Sequence, residues 1–509
     1  MFAPRALSAA LVLPTLISAI WLEPGYQQRV LSIGQETLYI ARPESDPAGK
    51  RNLGTRIQVT SKPNSTLYCA LDGDHFTSGY AHFTNSDGVE DKHMFWWLFE
   101  ARQDPSNAPV VLVFAGGPGS SGMPCRLARG RDGNGTAIAS QCPWTDEVNV
   151  LAIDHPVGVG FSYGVQSSLH NSSERAAWDV DDFLQAFWVE FPQLSGNQFM
   201  IQSASFGGNY IPHIVDVIHT RNMVARADPL SSRLPKMPDA VFPATHHHDD
   251  DAIWPALILM FRWWIQANCH DNPIVNSTGC DLAISTMPAC LDAVQYAYEQ
   301  PTIDNRYSAT ILCHGGDDKI QHAGFNGRNP YHATQFCDID DVDDCFPQMQ
   351  WLDDIMRDDR TRSAVGVPED VKFEHVSWER IYKPFEANGE MVKSAYRLLA
   401  PAIDAGLRVM VYNGNTDGVC SWRSNLSWNP YRTLIRQQMT LLQTKHREAF
   451  RSAPQVVWPG IGWIRQVGAG AGVFTFVSVD DAGHFVEWDR EEAFREILIK
   501  WLRNETLVS

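Results

Sequence analysis

The sequence predicts an α/β fold built on a mostly parallel sheet with helices packed against it, and three observations carry that expectation. Short β-rich runs alternate with segments of helical period along most of the chain. Two of those runs, "PVVLVFAGGPGSSG" and "NQFMIQSASFGG", pass directly from a strand into a turn carrying paired glycines. The last periodic segment, "REEAFREILIKWLRN", places Phe494, Ile497, Leu498, Trp501 and Leu502 on one helical face, which must lie on something apolar.

The elements follow in order. The first residues, "MFAPRALSAALVLPTLISAIW", have the layout of a secretory leader: Arg5, an apolar stretch from Ala6 to Ile17, and the small residue Ala19 before a cut. That stretch is shorter than the ~20 residues needed to span a bilayer, so a cleaved leader over 1–19 is expected instead of an anchor. Residues 20–509 then form one domain. "VVLVF" and "VNVLAID" read as buried strands. "NQFMIQSA" reads as a third, broken at Ser205 by a helix whose Ile211, Ile214, Val215 and Ile218 share a face. Pro212 is expected in the first turn of that helix, where no N–H is needed. "LRVMVYNG" and "VFTFVSVDDAG" read as two further strands before the final helix.

Between about 225 and 350 the periodicity loosens. Cys280, Cys290, Cys313, Cys337 and Cys345 crowd this part without C-x-x-C spacing. Disulfides are therefore expected over a zinc site, with the connectivity left open. The region reads as a disulfide-tied insertion over the C-terminal edge of the sheet. Its "HHHDDD" (His246 to Asp251) lacks the spaced glycine of a calcium loop, and adjacent side chains rarely converge on one ion. It reads as a solvated loop, and no metal is expected.

Composition narrows the function. The 509 residues are 44% hydrophobic and 20% charged, which describes a globular protein with a sizeable core. A formal net charge of −18 argues against nucleic acid and acidic membrane surfaces as partners. Ten cysteines and six N-x-S/T sites (Asn64, Asn134, Asn171, Asn276, Asn425 and Asn504) fit a glycosylated product of the secretory pathway.

The chemistry centres on Ser205. A nucleophile elbow is a sharp strand-to-helix turn holding a serine hydroxyl clear of the backbone, and the residues two positions either side must be small. Here they are Ser203 and Gly207, so serine stands where the pattern G-x-S-x-G has its first glycine. Asp417 in "VYNGNTDGVCSW" and His484 in "VSVDDAGHFVEW" follow later strands, in the chain order Ser, acid, His. Histidine would take the serine proton, and the carboxylate would fix its tautomer and stabilise the imidazolium. Asp480 and Asp481 are rival acids but precede the histidine in its own turn. Backbone N–H groups of Phe206 and of the "GGPG" turn, Gly116 to Gly119, would hold the developing oxyanion.

The blocks "FWWLFEARQDPSNAPVVLVFAGGPGSSG", "IDHPVGVGFSYG", "ASFGGNYIP", "YNGNTDGVCSW" and "DAGHFVEWD" together resemble the serine carboxypeptidase family, nearest its fungal secreted branch. The resemblance covers about residues 60–215 and 375–505. It implies an α/β-hydrolase fold, a Ser205–Asp417–His484 triad and oxyanion donors at Gly117 and Phe206, with no cofactor. Cys420 falls where some members keep a free thiol.

The departures from the family pattern bear on substrate. The family reads W-L-N-G-G-P-G and G-E-S-Y-A/G-G, and its Trp, Asn and Glu help bind the terminal carboxylate of a peptide. This chain has Val113, Ala115 and Ala204 there, and its "MPCRLARG" after the glycine turn shows no glutamate. Arg126 or Arg129 could act as a cationic clamp, although a solvated surface role suits them better. Where relatives carry a strand ending in G-N-G, "PDAVFPATHHHDDD" leaves one central strand poorly defined. The expected function is a secreted hydrolase releasing C-terminal residues from peptides through a serine acyl-enzyme. An esterase or acyltransferase using the same triad is the alternative, because the carboxylate contacts are replaced; such an enzyme would take a small acyl substrate. A secreted binding glycoprotein without turnover is a third reading, against which the intact Ser205, Asp417 and His484 stand.

Overall fold

The computed structural model describes residues 55–62, 75–85, 88–122, 143–228, 231–243, 275–324, 327–337, 347–393, 395–420 and 442–508, with a few isolated positions besides. It gives the backbone alone for 26–33, 36–43, 128–131, 137–139, 314–324, 347–349 and 351–352. Two compact units are present. The first, Met1–Arg51, contains an antiparallel hairpin of Tyr26–Ile33 and Glu36–Pro43. The second, Asn52–Ser509, holds all that follows.

Its core is a twelve-stranded sheet. In chain order the strands are β1 (Arg56–Val59), β2 (Phe76–Thr84), β3 (Glu90–Phe99), β4 (Val110–Phe114), β5 (Asn149–Ile153) and β6 (Tyr163–Gly164). They continue with β7 (Phe199–Ser203), β8 (Ala240–Pro243), β9 (Arg408–Gly414), β10 (Val456–Trp458), β11 (Gly462–Val467) and β12 (Phe474–Val479). Across the sheet the order is β10-β11-β12-β9-β8-β7-β4-β5-β3-β2-β1, with β6 on β3. The run from β12 to β5 is parallel throughout, and antiparallel strands close both edges.

The central strands are buried on both faces, which is why they read as unbroken apolar runs. On one face Leu112, Phe114, Ile201, Val409 and Phe476 pack against α1 (Ser173–Glu190) and α2 (Gly207–Ala227). On the other, Val111, Val113, Met200, Met410 and Val477 meet Phe494, Ile497, Leu498 and Trp501 of the last helix, Glu491–Leu502. This is the α/β-hydrolase architecture.

Two expectations are corrected. The strand that the sequence left poorly defined exists: β8 is fully buried and pairs in parallel with β7 and β9. Its four residues Ala240–Pro243 are too few to show a periodicity, and only their neighbours make them a strand. Pro212 lies in the second turn of α2, not the first, so the Gly208 carbonyl forgoes its helical hydrogen bond.

Residues 225–243 therefore hold the end of α2 and β8. The long insertion runs from after β8 to β9. It contains the helices Ser277–Glu299 and Ile303–Gly324, the hairpin Arg328–Asn329 with His332–Phe336, and the helices Pro347–Arg357 and Asp359–Val365. Disulfides Cys269–Cys280, Cys290–Cys313 and Cys337–Cys345 tie it. The "HHHDDD" run falls outside the described residues. Among the described residues no helix is long and apolar enough to cross a membrane.

At the β1 edge, His82 and His93 face one another, Nδ1 to Nδ1 at 2.7 Å, and Gln58 Oε1 lies 2.7 Å from His82 Nε2. An amide oxygen only accepts, so His82 Nε2 carries a proton and its Nδ1 accepts from His93. Burial, then Arg56 and His93, pull the His82 imidazole down to about 4 against the opposing charge of Glu90. Burial lowers His93 as well. Both groups then bind fewer protons when folded than when unfolded. Their stabilising contribution is complete above about pH 6.5 and is lost as pH falls toward the folded value. The urea midpoint should therefore drop between pH 6.5 and 4, and His82→Gln should flatten that drop. Identical slopes in the two proteins would remove the pair from the acid response.

Candidate active site

The turn between β7 and α2 consists of Ala204, Ser205 and Phe206. Ser205 sits at φ +56°, a left-handed conformation that costs a non-glycine residue about 1–2 kcal/mol. Close packing on two sides enforces it. A Cβ added to Gly116 would fall 2.4 Å from Phe206 N and 2.9 Å from Ser205 Cβ. One added to Gly207 would fall 1.8 Å from Ser203 Oγ. Ser203 fits in place of glycine because its hydroxyl donates to the Phe114 carbonyl at 2.8 Å, on the neighbouring strand β4. The space its side chain takes is the space Gly207 leaves empty.

β9 and β12 end beside each other on the same edge of the sheet, and their following turns carry Asp417 and His484. His484 Nδ1 stands 2.9 Å from Asp417 Oδ2, and both side chains are buried. The other carboxylate oxygen accepts the backbone N–H groups of Val419 and Cys420 at 2.9 and 2.8 Å. An ionised Asp417 accepts only, so His484 Nδ1 carries the hydrogen and Nε2 is left as the basic nitrogen. Burial pulls the His484 imidazole down. The charge and hydrogen bond of Asp417, joined by Glu487 and Asp489, outweigh burial and raise it above the ordinary histidine value. Asp480 instead accepts from Asn415 Nδ2, and it and Asp481 shape the turn, as their sequence position suggested. Asp417, Cys420 and His484 offer donor atoms within 4.8 Å of one another, the one group among the described residues able to grip a metal ion.

The "GGPG" turn leaves β4 beside the elbow, with Gly117 at φ +106°. The insertion holds this turn from outside. Ser377 N–H donates to the Gly119 carbonyl at 2.9 Å, and Ser121 N–H donates to the His375 carbonyl at 2.7 Å. Asp154, after β5, is the residue that sequence reasoning missed. Its buried carboxylate accepts the Ser121 hydroxyl and, at 2.7 Å, the Phe161 N–H. Burial pushes it up to about 7, while those two hydrogen bonds pull it back. Gly160, at φ +55°, is obligatory there, because a Cβ would strike the carboxylate at 2.2 Å. The glycine spacing of "IDHPVGVGFSYG" was the available signal.

The serine carboxypeptidase family model matches residues 72–231 and 264–504. The chain belongs to the serine carboxypeptidase family. It is a serine-type carboxypeptidase by that membership. Carboxypeptidase Y of Candida albicans is 26% identical over 464 residues, 88% of this chain and 77% of that protein. Carboxypeptidase Y of Saccharomyces cerevisiae is 27% identical over 424 residues, covering 81% of this chain and 73% of that one. Among solved structures, Kex1ΔP, a prohormone-processing carboxypeptidase from Saccharomyces cerevisiae, superposes with a TM-score of 0.62 at 15% identity. That match covers 84% of this chain and 91% of Kex1ΔP.

Relative to the carboxypeptidase pattern, the altered positions fall in two places. Val113 and Ala204 are buried in one apolar cluster with Ala152, Met410 and Tyr412. Ala115 is half-buried at the head of the glycine turn. Arg126 lies outside the described residues, and only the backbone of Arg129 is described. Cys420 is a buried thiol. Of the sequons, Asn171 and Asn504 are exposed and Asn276 is half-buried, its Oδ1 accepting from Gly279 N at the start of a helix. Asn64, Asn134 and Asn425 lie outside the described residues.

The family pattern allows Ala or Gly at the position of Gly207, where its partner position is Gly. Here Ser203 removes that freedom. Gly207→Ala should destabilise the chain by about 1–3 kcal/mol and cut activity, by overpacking. Adding Ser203→Gly should restore both. Thermal melts and turnover of the two variants check this; a harmless single Gly207→Ala would mean that the Ser203 side chain does not fill the space beside Gly207.

Proposed function

We propose that this carboxypeptidase acts through an acyl-enzyme on Ser205, releasing C-terminal residues from peptides. The observation that carries the reading is the buried His484–Asp417 contact, set on the strand edge that also presents Ser205 in a strained elbow. Ser205 Oγ attacks the scissile carbonyl while His484 Nε2 takes the hydroxyl proton. The N–H groups of Gly117 and Phe206 hold the oxyanion. The C–N bond breaks, and the departing amine takes the proton from His484. Water then attacks the ester with His484 again as base, and Ser205 recovers its proton. Asp417 holds the tautomer and stabilises the imidazolium.

The leader at 1–19, the disulfides and the sequons support passage through the secretory pathway, with glycans on exposed sites such as Asn171 and Asn504.

A second reading rests on one observation. Val113 and Ala204 pack together in an apolar cluster where the family pattern has residues gripping a carboxylate. A free terminal carboxylate buried there without donors is an expensive arrangement, whereas an ester or other neutral acyl group is not.

Matched blocked dipeptides ending in free acid, amide and methyl ester separate the readings. Preferred cleavage of the free acid is expected; equal or faster ester turnover would move the assignment to an esterase. Ser205→Ala should reduce turnover by at least about a thousandfold and abolish fluorophosphonate labelling, and retained activity would mean another nucleophile.

The pH dependence follows from His484. Protonated imidazole cannot take the serine proton, so labelling of Ser205 should rise with pH. Its midpoint should lie above the ordinary value of about 6.5, because His484 is raised. Asp417→Asn should lower both rate and midpoint. A midpoint indifferent to that change would dissociate Asp417 from His484.

A further inference from the structure

We propose that His332, in the hairpin of the cysteine-rich insertion, is a positioning residue that locks the Asp417 and His484 turns together. The inference rests on the triad reading above and adds to it a second imidazole, outside the motifs that suggested the triad.

His332 is buried, with 5% of its surface exposed. It touches the residue before each proposed catalytic group. On one side Thr416, preceding Asp417, has its Oγ1 within 3.5 Å of the imidazole nitrogens. On the other side Gly483, preceding His484, lies so close that a Cβ would be 3.0 Å from His332 Cα and Cβ and 2.1 Å from the Tyr331 carbonyl.

Thr416 Oγ1 donates to the Ala482 carbonyl at 2.7 Å, and a hydroxyl has a single proton. Toward His332 it can therefore only accept, and it lies almost equally far from the two ring nitrogens, at 3.4 and 3.5 Å. Thr334 Oγ1, at 3.1 Å from His332 Nδ1, meets the ring from the hairpin's own side. In the tautomer that carries its proton on Nε2, Nδ1 accepts from the Thr334 hydroxyl. The chain Thr334, His332, Thr416, Ala482 thus joins the insertion to the Asp417 turn and that turn to the loop before His484.

Backbone contacts reinforce the same junction. The Tyr331 carbonyl accepts His484 N–H at 2.7 Å, Pro330 accepts Gly418 N–H at 3.1 Å, and Thr416 accepts Ala333 N–H at 2.8 Å. The Tyr331 ring lies 5.6 Å from the rings of both His484 and Phe485. These bonds are independent of the side chain at 332. What His332 adds to that junction is a side-chain contact with the Thr416 hydroxyl. Of the titratable groups at this junction, Asp489 on the short helix Val486–Asp489 interacts with His332, and Asp489 in turn lies near Glu487 and Asp417, which with it act on His484. Asp489 also accepts Gly483 N–H at 2.7 Å, closing the loop from behind.

Loss of the His332 ring would leave Thr416 held by its backbone and by Ala482 alone, and the loosened turn would let the Asp417 carboxylate drift from His484 Nδ1. Misplacement on the order of an ångström lowers rates by about a hundredfold. Drift would also weaken the interaction that raises His484, so the acid limb of the pH profile should move down.

The test measures the second-order rate of fluorophosphonate labelling of Ser205 across pH, because phosphonylation uses the triad without requiring a terminal carboxylate. His332→Ala should slow labelling about ten- to a hundredfold and shift its acid midpoint to lower pH, while peptide KM stays within about twofold. His332→Gln, which keeps a donor, should recover most of the rate. Thr416→Val, nearly isosteric, should reproduce the midpoint shift and serves if His332→Ala does not fold. A raised KM with unchanged labelling would overturn the proposal in favour of a substrate contact. Unchanged rate and midpoint in Thr416→Val would overturn it outright. Absence of labelling in the wild type would overturn the triad itself, and that outcome is read before any variant is compared.

Discussion

The close approach of three backbones at Ser205 is the constraint on which the rest depends. The turn after β4, the end of β7 and the start of α2 meet with no room for a Cβ at Gly116 or Gly207. Ser205 is thereby held at a positive φ that an isolated serine would leave. The same contact fixes the neighbouring chemistry. Because β4 and β7 are adjacent and parallel, the glycine turn packs on the elbow with Gly116 against Phe206 N. Parallel pairing onward through β8 to β9 and β12 carries the Asp417 and His484 turns to the same edge. Strain at one residue and geometry at four others share one cause.

The edge of a parallel sheet sets approximate positions, and the insertion refines them from above. Its segment at His375–Ser377 accepts from and donates to the glycine turn, and its hairpin at Pro330–Ala333 does the same for the Asp417 and His484 turns. One clasp holds the turn after β4 and the other the turns after β9 and β12, on either side of β7 in the sheet, so both halves of the proposed machinery are buttressed by the insertion. The disulfides within the insertion are local staples, and Cys337–Cys345 is the one that adjoins the hairpin. By restricting the unfolded ensemble of a segment with loose periodicity, it helps to keep the hairpin's donors and acceptors where the turns need them.

Most of the sheet was legible from the sequence because buried parallel strands are short, continuous and apolar, and Val110–Phe114 or Phe474–Val479 have few other ways to be satisfied. The last helix was legible for the complementary reason, a single apolar face. Ala240–Pro243 was not: four residues ending in proline carry no signal of their own, and the strand exists because β7 and β9 each offer it a pairing edge. Pro212 was misplaced because the helix start depends on where the elbow releases the chain, a tertiary matter. In the site, Ser205, Asp417 and His484 stood out by motif and order. Asp154 and His332 did not, since each acts by touching turns distant in sequence, and no local spacing announces such a contact.

The altered substrate positions make sense as a coupled change. An indole at 113 and a carboxylate at 204 would each carry a polar group into the interior, and each would need a partner there. Valine and alanine together remove both demands, and the two side chains close into the same apolar cluster as Met410 and Tyr412. The elbow is untouched by this exchange, because Ala204 points its small side chain into that cluster while the strained backbone of Ser205 is set by Gly116 and Gly207. On the proposed reading, attack and recognition are separable in this fold: the first would be fixed by backbone crowding and the His484–Asp417 contact. The second is carried by side chains that can change in concert without disturbing it.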